Sequence, residues 1–174
     1  MCAVKTSTGG LAIIKKHEGL RLRAYLCPAG VPTIGYGHTG TVGHDDVRRG
    51  YTISEEAAER LLRADLSTAE KAINDLVTVP LAQHEFDALA SFVFNVGRAA
   101  FERSTLLRLL NKGIKAAVPE QLARWNKGGG RILPGLVARR AEEGALWAHR
   151  PAENATPDNI DSAGAKLRRM VGLG

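Results

Sequence analysis

Ser54-Glu55-Glu56-Ala57-Ala58-Glu59-Arg60-Leu61-Leu62-Arg63-Ala64-Asp65-Leu66-Ser67-Thr68-Ala69-Glu70-Lys71-Ala72-Ile73-Asn74-Asp75-Leu76-Val77 is the stretch on which the fold turns. Its apolar positions, Ala58, Leu61, Leu62, Leu66, Ala69, Ile73, Leu76 and Val77, keep the spacing of one helical face. Ser54 supplies a capping hydroxyl, and Glu55 and Glu56 set negative charge against the positive end of the helix dipole. A helix over 54–77 suits a strut joining two lobes, one spanning 11–60 and one spanning 78–150.

Towards the N-terminus, residues 20–53 hold Gly30, Gly35, Gly37, Gly40, Gly43 and Gly50 with short runs such as Thr33-Ile34-Gly35-Tyr36. That texture predicts a small sheet or hairpin region rich in tight turns, with Asp45 and Asp46 as turn residues. Leu11, Ile13 and Ile14 predict a short amphipathic helix closed near Gly19, after a loose start over 1–10. Towards the C-terminus, Pro80 restarts the chain, and Phe86, Leu89, Ala90, Phe92, Val93 and Phe94 predict a strongly apolar helix over 81–96. Shorter helices are expected at about 104–112 and 114–125, a break at Gly128-Gly129-Gly130, and a last helix over about Pro134–His149. Trp125 and Trp147 read as core aromatics of the second lobe. The pattern is α+β, mainly α, in a single 174-residue domain that ends in a weakly ordered tail over 151–174.

Charge divides along the chain. Residues 1–97 carry 10 basic and 11 acidic side chains, whereas 98–150 carry 11 and 4, so the net +6 belongs to the second half. Such a field favours a polyanionic partner: a nucleic acid, an acidic membrane or an anionic cell wall. No nucleic-acid motif accompanies it, so no specific nucleic acid is expected. Cys2 and Cys27 make no disulfide framework and no zinc cluster. Leu11-Ala12-Ile13-Ile14 is too short for a signal-peptide core, and no apolar run reaches the ~18 residues of a membrane span.

Chemistry concentrates in His17-Glu18-Gly19-Leu20-Arg21-Leu22-Arg23-Ala24-Tyr25-Leu26-Cys27-Pro28, continuing through Val31-Pro32-Thr33-Ile34-Gly35-Tyr36-Gly37-His38-Thr39. Glu18 ends a helix, where the dipole's negative end and local apolar packing both raise a carboxyl pKa. A general acid needs that shift to keep its proton near neutral pH. Turn-rich strands can return Cys27 and Thr33 towards the carboxyl, where a thiol and a hydroxyl would hold or activate a water. His38 reads as a hairpin hydrogen-bonder that orients the strand bearing Thr33. His17, His44, His84 and His149 form no ligand-spaced pair, and neither metal nor cofactor is expected.

Glu18, Cys27 and Thr33, with the following Ile-Gly-Tyr-Gly-His-Thr, resemble the catalytic signature of the phage T4 and lambdoid lysozymes, glycoside hydrolase family 24. Two more blocks resemble the family in order. One is Phe94-Asn95-Val96-Gly97 with Ala100-Phe101 and Ser104-Thr105-Leu106-Leu107-Arg108. The other is Arg124-Trp125-Asn126, Gly129-Gly130, Leu133-Pro134-Gly135-Leu136, Arg139-Arg140-Ala141-Glu142 and Leu146-Trp147. The resemblance implies a lysozyme-like fold in which a small β lobe is joined by a long helix to a helical lobe, with a glycan cleft between. It implies a muramidase that hydrolyses the β-1,4 bond between N-acetylmuramic acid and N-acetylglucosamine, Glu18 protonating the leaving oxygen. Phe94, Asn95 and Ser104 match cleft-lining positions and are candidate sugar contacts; the alternatives are helix core for Phe94 and helix cap for Ser104.

Cys27 departs from the many relatives that carry Asp there, although the family also tolerates Cys. It is a thiolate favoured by basic neighbours, a covalent nucleophile, or, the preferred reading, a partner of Thr33 in positioning water; the bland alternative is a small buried hydrophobe. Two rival functions are an inactive peptidoglycan-binding relative and a lytic transglycosylase, which needs no water-activating partner. The resemblance implies a monomer held in the bacterial cytoplasm until a holin opens the inner membrane, and acting then on periplasmic peptidoglycan.

Overall fold

The computed structural model describes residues 3–149, so Cys2 and the 151–174 tail lie outside it. The chain runs α1 (Thr8–Glu18), β1 (Arg21–Leu26), β2 (Pro32–Gly35), α2 (His44–Arg49), α3 (Glu55–Leu76), α4 (Gln83–Val96), α5 (Arg98–Glu102) and α6 (Thr105–Asn111). A 3-10 turn over Lys115–Ala117 leads to α7 (Val118–Ala123), β3 (Lys127–Gly128), β4 (Arg131–Ile132) and α8 (Pro134–Ala148). The fold is α+β and mainly α, as the sequence pattern predicts.

The strut is α3, 22 residues long and about 33 Å at 1.5 Å per residue. Its Ser54 hydroxyl accepts a hydrogen bond from the Ala57 amide at 3.2 Å. One stripe of this helix serves two cores. Leu62 and Leu66 pack with Leu11 and Ile14 of α1, and Ala69, Ala72 and Ile73 pack with Phe86, Leu89, Phe92 and Val93 of α4. Phe94 touches both clusters. Nine consecutive residues of α4, Glu85–Val93, are buried, so this helix forms the axis of the larger core. Trp147 is buried there, and Trp125 meets Phe92 edge-on at 5.4 Å between ring centroids.

β1 and β2 pair antiparallel, with Tyr25 opposite Thr33 and Leu26 opposite Pro32. The other edge of β1 takes the segment after α2: Ala24 donates to the Tyr51 carbonyl and Ile53 to the Leu22 carbonyl. Gly35, at φ +65°, lies so close to α3 that a β-carbon would sit 3.3 Å from Ala58 Cβ. Only glycine combines that backbone with that approach.

Three expectations need correction. Residues 3–7 are not a loose start. Asn74 holds both Val4 backbone groups, Glu70 accepts from Lys5 Nζ and the Thr6 amide, and Asp87 accepts from the Ser7 amide and hydroxyl. The segment straps α3 to α4 because acidic and amide side chains on the two helices satisfy its backbone. Burial disfavours the charge on Glu70, but the Lys5 and Thr6 donors outweigh it and hold the carboxyl below its ordinary pKa. Asp45 and Asp46 open α2 rather than a turn, and Asp46 accepts from the Gly43 amide at 2.8 Å. The 128–130 break is a tight hairpin between β3 and β4, with Gly129 and Gly130 at φ +56° and +78°. Positive φ at both central residues is what the mirror-image two-residue turn demands.

Burying Leu11, Ile14, Leu62 and Leu66 contributes roughly 1.5–3 kcal/mol each, against ~1 kcal/mol net for a strap hydrogen bond. The apolar junction therefore carries the stability, and the strap sets where it closes. Ser7 caps α1 through Gly10 and also binds Asp87. Ser7→Ala is expected to cost about 1–2 kcal/mol in urea unfolding; a loose start would cost nothing measurable.

Candidate active site

Glu18 is the last residue of α1, an 11-residue helix of about three turns. Leu11, Ile14 and Glu18 lie at i, i+3 and i+7, one face of the helix. The first two are buried against α3, so the carboxyl is carried to the mouth of the same junction, 23% exposed. Gly19 then ends the helix at φ +71°, its amide donating to the Lys15 carbonyl. The expected apolar packing around this carboxyl is corrected by the structure: its nearest partner is a guanidinium. Arg139 of α8, 4% exposed, donates from Nη1 to Glu18 Oε1 at 2.6 Å. Oε2 faces Gly37, where a β-carbon would stand 3.9 Å away. One carboxylate oxygen is anchored, and the other is open towards the hairpin.

The hairpin holds the thiol and the hydroxyl together. The Cys27 carbonyl accepts from the Gly30 amide at 2.8 Å, closing a turn with Pro28 at its second position, and the Cys27 amide donates to Val31. Cys27 is half-buried rather than core. The Val31 and Ala29 backbones hold its thiol below the ordinary value. Thr33 is buried, and its hydroxyl donates to the Val31 carbonyl at 2.9 Å, leaving its lone pairs to accept. The solvent-facing member of this pair is therefore Cys27.

His38 stands one turn beyond. Its backbone pairs in both directions with Ile34, next to Thr33, at 2.9 Å. Its Nδ1 meets both Asp65 oxygens of α3 at 3.0 and 2.9 Å, and its Nε2 meets Thr41 Oγ1 at 3.0 Å. The imidazole ties the hairpin to the strut and has both nitrogens occupied.

The predicted sugar contacts separate. Phe94 lies partly exposed at the junction of the two cores, and Asn95 is exposed at the end of α4, its Oδ1 accepting from Arg140 Nη2 at 3.1 Å. Asn95, Val96, Arg124, Trp125, Lys127 and Leu136 line a cavity of about 450 Å³. Ser104 is the N-cap of α6; it is buried, and its hydroxyl accepts from the Leu107 amide at 3.0 Å. The helix-cap alternative is the one its geometry realises.

Residues that sequence reasoning gave no role complete the site. Arg139, Arg140 and Glu143 of α8 are all buried, with Ser91 of α4 against them. Ser91 Oγ donates to Glu143 Oε1 at 2.7 Å, and Arg140 Nη2 donates to the same oxygen at 3.0 Å. Arg139 reaches it from Nε at 3.3 Å and donates from Nη2 to the Ser91 carbonyl at 3.0 Å. Burial pushes Glu143 up and Arg140 down from their ordinary values, although each is the other's counter-ion. The signal was present: Arg140, Glu143 and Trp147 fall at i, i+3 and i+7, which puts two charges on the core stripe of the helix. On the outer side, Glu142 accepts from Lys16 and meets His17, whose pKa burial lowers despite that carboxylate. Among the described residues, no group of His, Cys, Asp and Glu could hold a metal ion.

A carboxyl with one tethered oxygen thus stands beside a hairpin that carries a thiol and a buried hydroxyl. A model of the family described as Phage lysozyme matches residues 15–143. The endolysin of Salmonella phage P22 is 43% identical over 144 residues, covering 83% of this chain and 98% of the relative. A crystal structure of a P22 lysozyme mutant superposes with TM-score 0.77 at 41% identity, covering 84% of this chain and 99% of that one. The muramidase domain of SpmX from Asticaccaulis excentricus superposes with TM-score 0.76 at 39% identity, covering 84% and 99%. The chain belongs to the phage lysozyme family. It is a lytic glycosidase of that family, acting on the bacterial cell wall.

The lowered thiol makes one measurable claim. In a Cys2→Ser background, the rate of Cys27 alkylation by iodoacetamide is expected to titrate with a midpoint below the ordinary ~8.5. A midpoint at or above that value contradicts the hydrogen-bonded thiolate.

Proposed function

We propose that the chain is an endolysin that hydrolyses the β-1,4 bond between N-acetylmuramic acid and N-acetylglucosamine. The observation that carries this reading is the asymmetric tether of Glu18. With Oε1 held by Arg139, Oε2 is the oxygen that carries the proton and faces the hairpin. Glu18 donates that proton to the glycosidic oxygen as the bond to C1 lengthens and the sugar takes on oxocarbenium character. A water then attacks C1 from the side of Cys27. Its proton passes to the thiolate, and Thr33 accepts a second hydrogen bond from it because its own proton is committed to Val31. His38, fixed by Asp65, keeps the Thr33 strand in register, and Phe94 and Asn95 are the candidate sugar contacts.

Attack by a held water inverts the anomeric centre, whereas a Cys27–glycosyl intermediate would retain it. A lytic transglycosylase would use Glu18 alone and close the muramic acid into its anhydro form. The basic half of the chain suits an anionic wall. A monomer, accumulation in the cytoplasm and release to the periplasm by a holin complete the proposal. No helix among the described residues is long and apolar enough to cross a membrane.

Muropeptide analysis of digests by wild type, Glu18→Gln, Cys27→Asp and Cys27→Ala tests the whole reading. Reducing ends are expected from wild type and from Cys27→Asp. Glu18→Gln is expected to lose at least about a hundredfold in rate, the usual scale of a general acid, and Cys27→Ala to be slowed less. Anhydromuropeptides would instead establish a transglycosylase, and equal clearing by Glu18→Gln would remove Glu18 from the mechanism. A retained anomer in the first product would make Cys27 a nucleophile.

A further inference from the structure

We propose that Glu143, on the buried stripe of α8, is a positioning residue for Glu18: it holds Arg139 in place and offsets the second guanidinium, so that the acid can carry its proton. This rests on the reading of Glu18 as the catalytic acid.

Glu18, Arg139, Arg140 and Glu143 form one contiguous chain of contacts, from the 2.6 Å Glu18–Arg139 bond through the 3.3 Å Arg139–Glu143 contact to the 3.0 Å Arg140–Glu143 pair. With both carboxylates ionised the four charges cancel. A proton on Glu18 leaves one net positive charge in a cluster whose other three members are 4% exposed or less. Buried charges are weakly screened, so the balance matters. Without the Glu143 charge, protonating Glu18 would leave two guanidiniums unopposed. Without Arg140, the ionised cluster would carry an excess negative charge that a proton on Glu18 relieves.

The other charges on the neighbouring elements have partners of their own. From α4 the neutral Ser91 and Asn95 bond the cluster, and the buried Asp87, one turn before Ser91, is bound to Ser7 and Gln83. From α1, Lys16 turns to Glu142 and Lys15 to Glu59 of α3, while His17, bound to Glu142, also feels the Arg139 charge, which disfavours its protonation. The hairpin carries the Cys27 thiol and His38, which is bound to Asp65. The charges of α7, Glu120 and Arg124, pair with each other at the exposed surface. The geometry around Glu143 is also restrictive. Ser91 Oγ, Arg139 Nε and Arg140 Nη2 all converge on Oε1, and Arg140 lies 4.9 Å over the Phe92 ring. Arg139 therefore has one position from which to reach Glu18.

The experiment is the pH profile of kcat/KM on purified soluble glycan strands, at constant ionic strength, for wild type, Glu143→Gln, Arg140→Met, the double variant and Ser91→Ala. The alkaline limb reports loss of the proton from the acid. Glu143→Gln is expected to move that limb about 1 pH unit lower, the scale of a neighbouring charge. Arg140→Met should move it higher, and the double variant should return it close to wild type. Ser91→Ala, which removes the donor to Glu143 and a long 3.4 Å acceptor of Arg139 Nη2 but no charge, should move it slightly lower while folding normally. Thermal unfolding of each variant identifies any that fails to fold, and Arg140→Met and Ser91→Ala then decide the matter. Lower rates at every pH with an unmoved limb mean that the cluster is merely packing, and the inference falls while the acid assignment stands. If Glu18→Gln digests the same strands like wild type, both fall.

Discussion

A carboxylate buried among helices has to be compensated where it stands. Glu143, wholly inside the protein, meets that demand with two guanidiniums and a serine hydroxyl, and breaking such a pair by removing one partner typically costs about 3–5 kcal/mol. The requirement fixes the rotation and depth of α8 against α4. Once those are fixed, Arg139 must face the end of α1 and Arg140 must face the end of α4, where it holds Asn95. The next residue, Glu142, turns outward and takes Lys16 and His17. The last turn of α1 is thus gripped from α8 on two sides, with the candidate acid between them.

The hairpin side depends on a different constraint, the sharing of α3 between two cores. Its stripe passes from Leu62 and Leu66 to Ala69, Ala72 and Ile73 without a break, so the two clusters stand on one rigid rod. Ala58 at one end receives Gly35, and Asp65 in the middle receives His38. At the other end Glu70 and Asn74 receive the N-terminal strap. Phe94 lies where the clusters meet. The hairpin bearing Cys27 and Thr33 and the helix bearing Glu18 are both referred to this rod, which is what brings an open carboxylate oxygen up to Gly37.

Periodicity made the long elements legible. The 54–77 stripe, the apolar run of 81–96 and the helix from Pro134 are found within a few residues of their expected limits. What escaped were features with no period. The strap of residues 3–7 has no pattern of its own, because its hydrogen bonds go to side chains some 65–80 positions away. The helix α2 was hidden because its six residues are too few to show a stripe, and its aspartates read equally well as turn formers. The glycine run 128–130 announced a reversal but not that two tiny strands would flank it. At the candidate site, Glu18, Cys27 and Thr33 stood out because their spacing resembles a family signature within one short stretch, whereas Arg139 lies 121 residues from its partner.

By itself the sequence determined which candidate groups lie near one another along the chain, namely a carboxyl at a helix end, a thiol and a hydroxyl on a tight hairpin, and a long amphipathic rod to carry them. These are local facts, set by side-chain type and by spacings of a few residues. Only the tertiary structure decided the surroundings of the carboxyl. Apolar packing around Glu18 was the local expectation; the folded chain supplies a buried guanidinium instead, held by a carboxylate and a serine from other helices. Electrostatic neighbours are set by distance in space, and charges remote in sequence become first neighbours when α8 closes on α4 and α1.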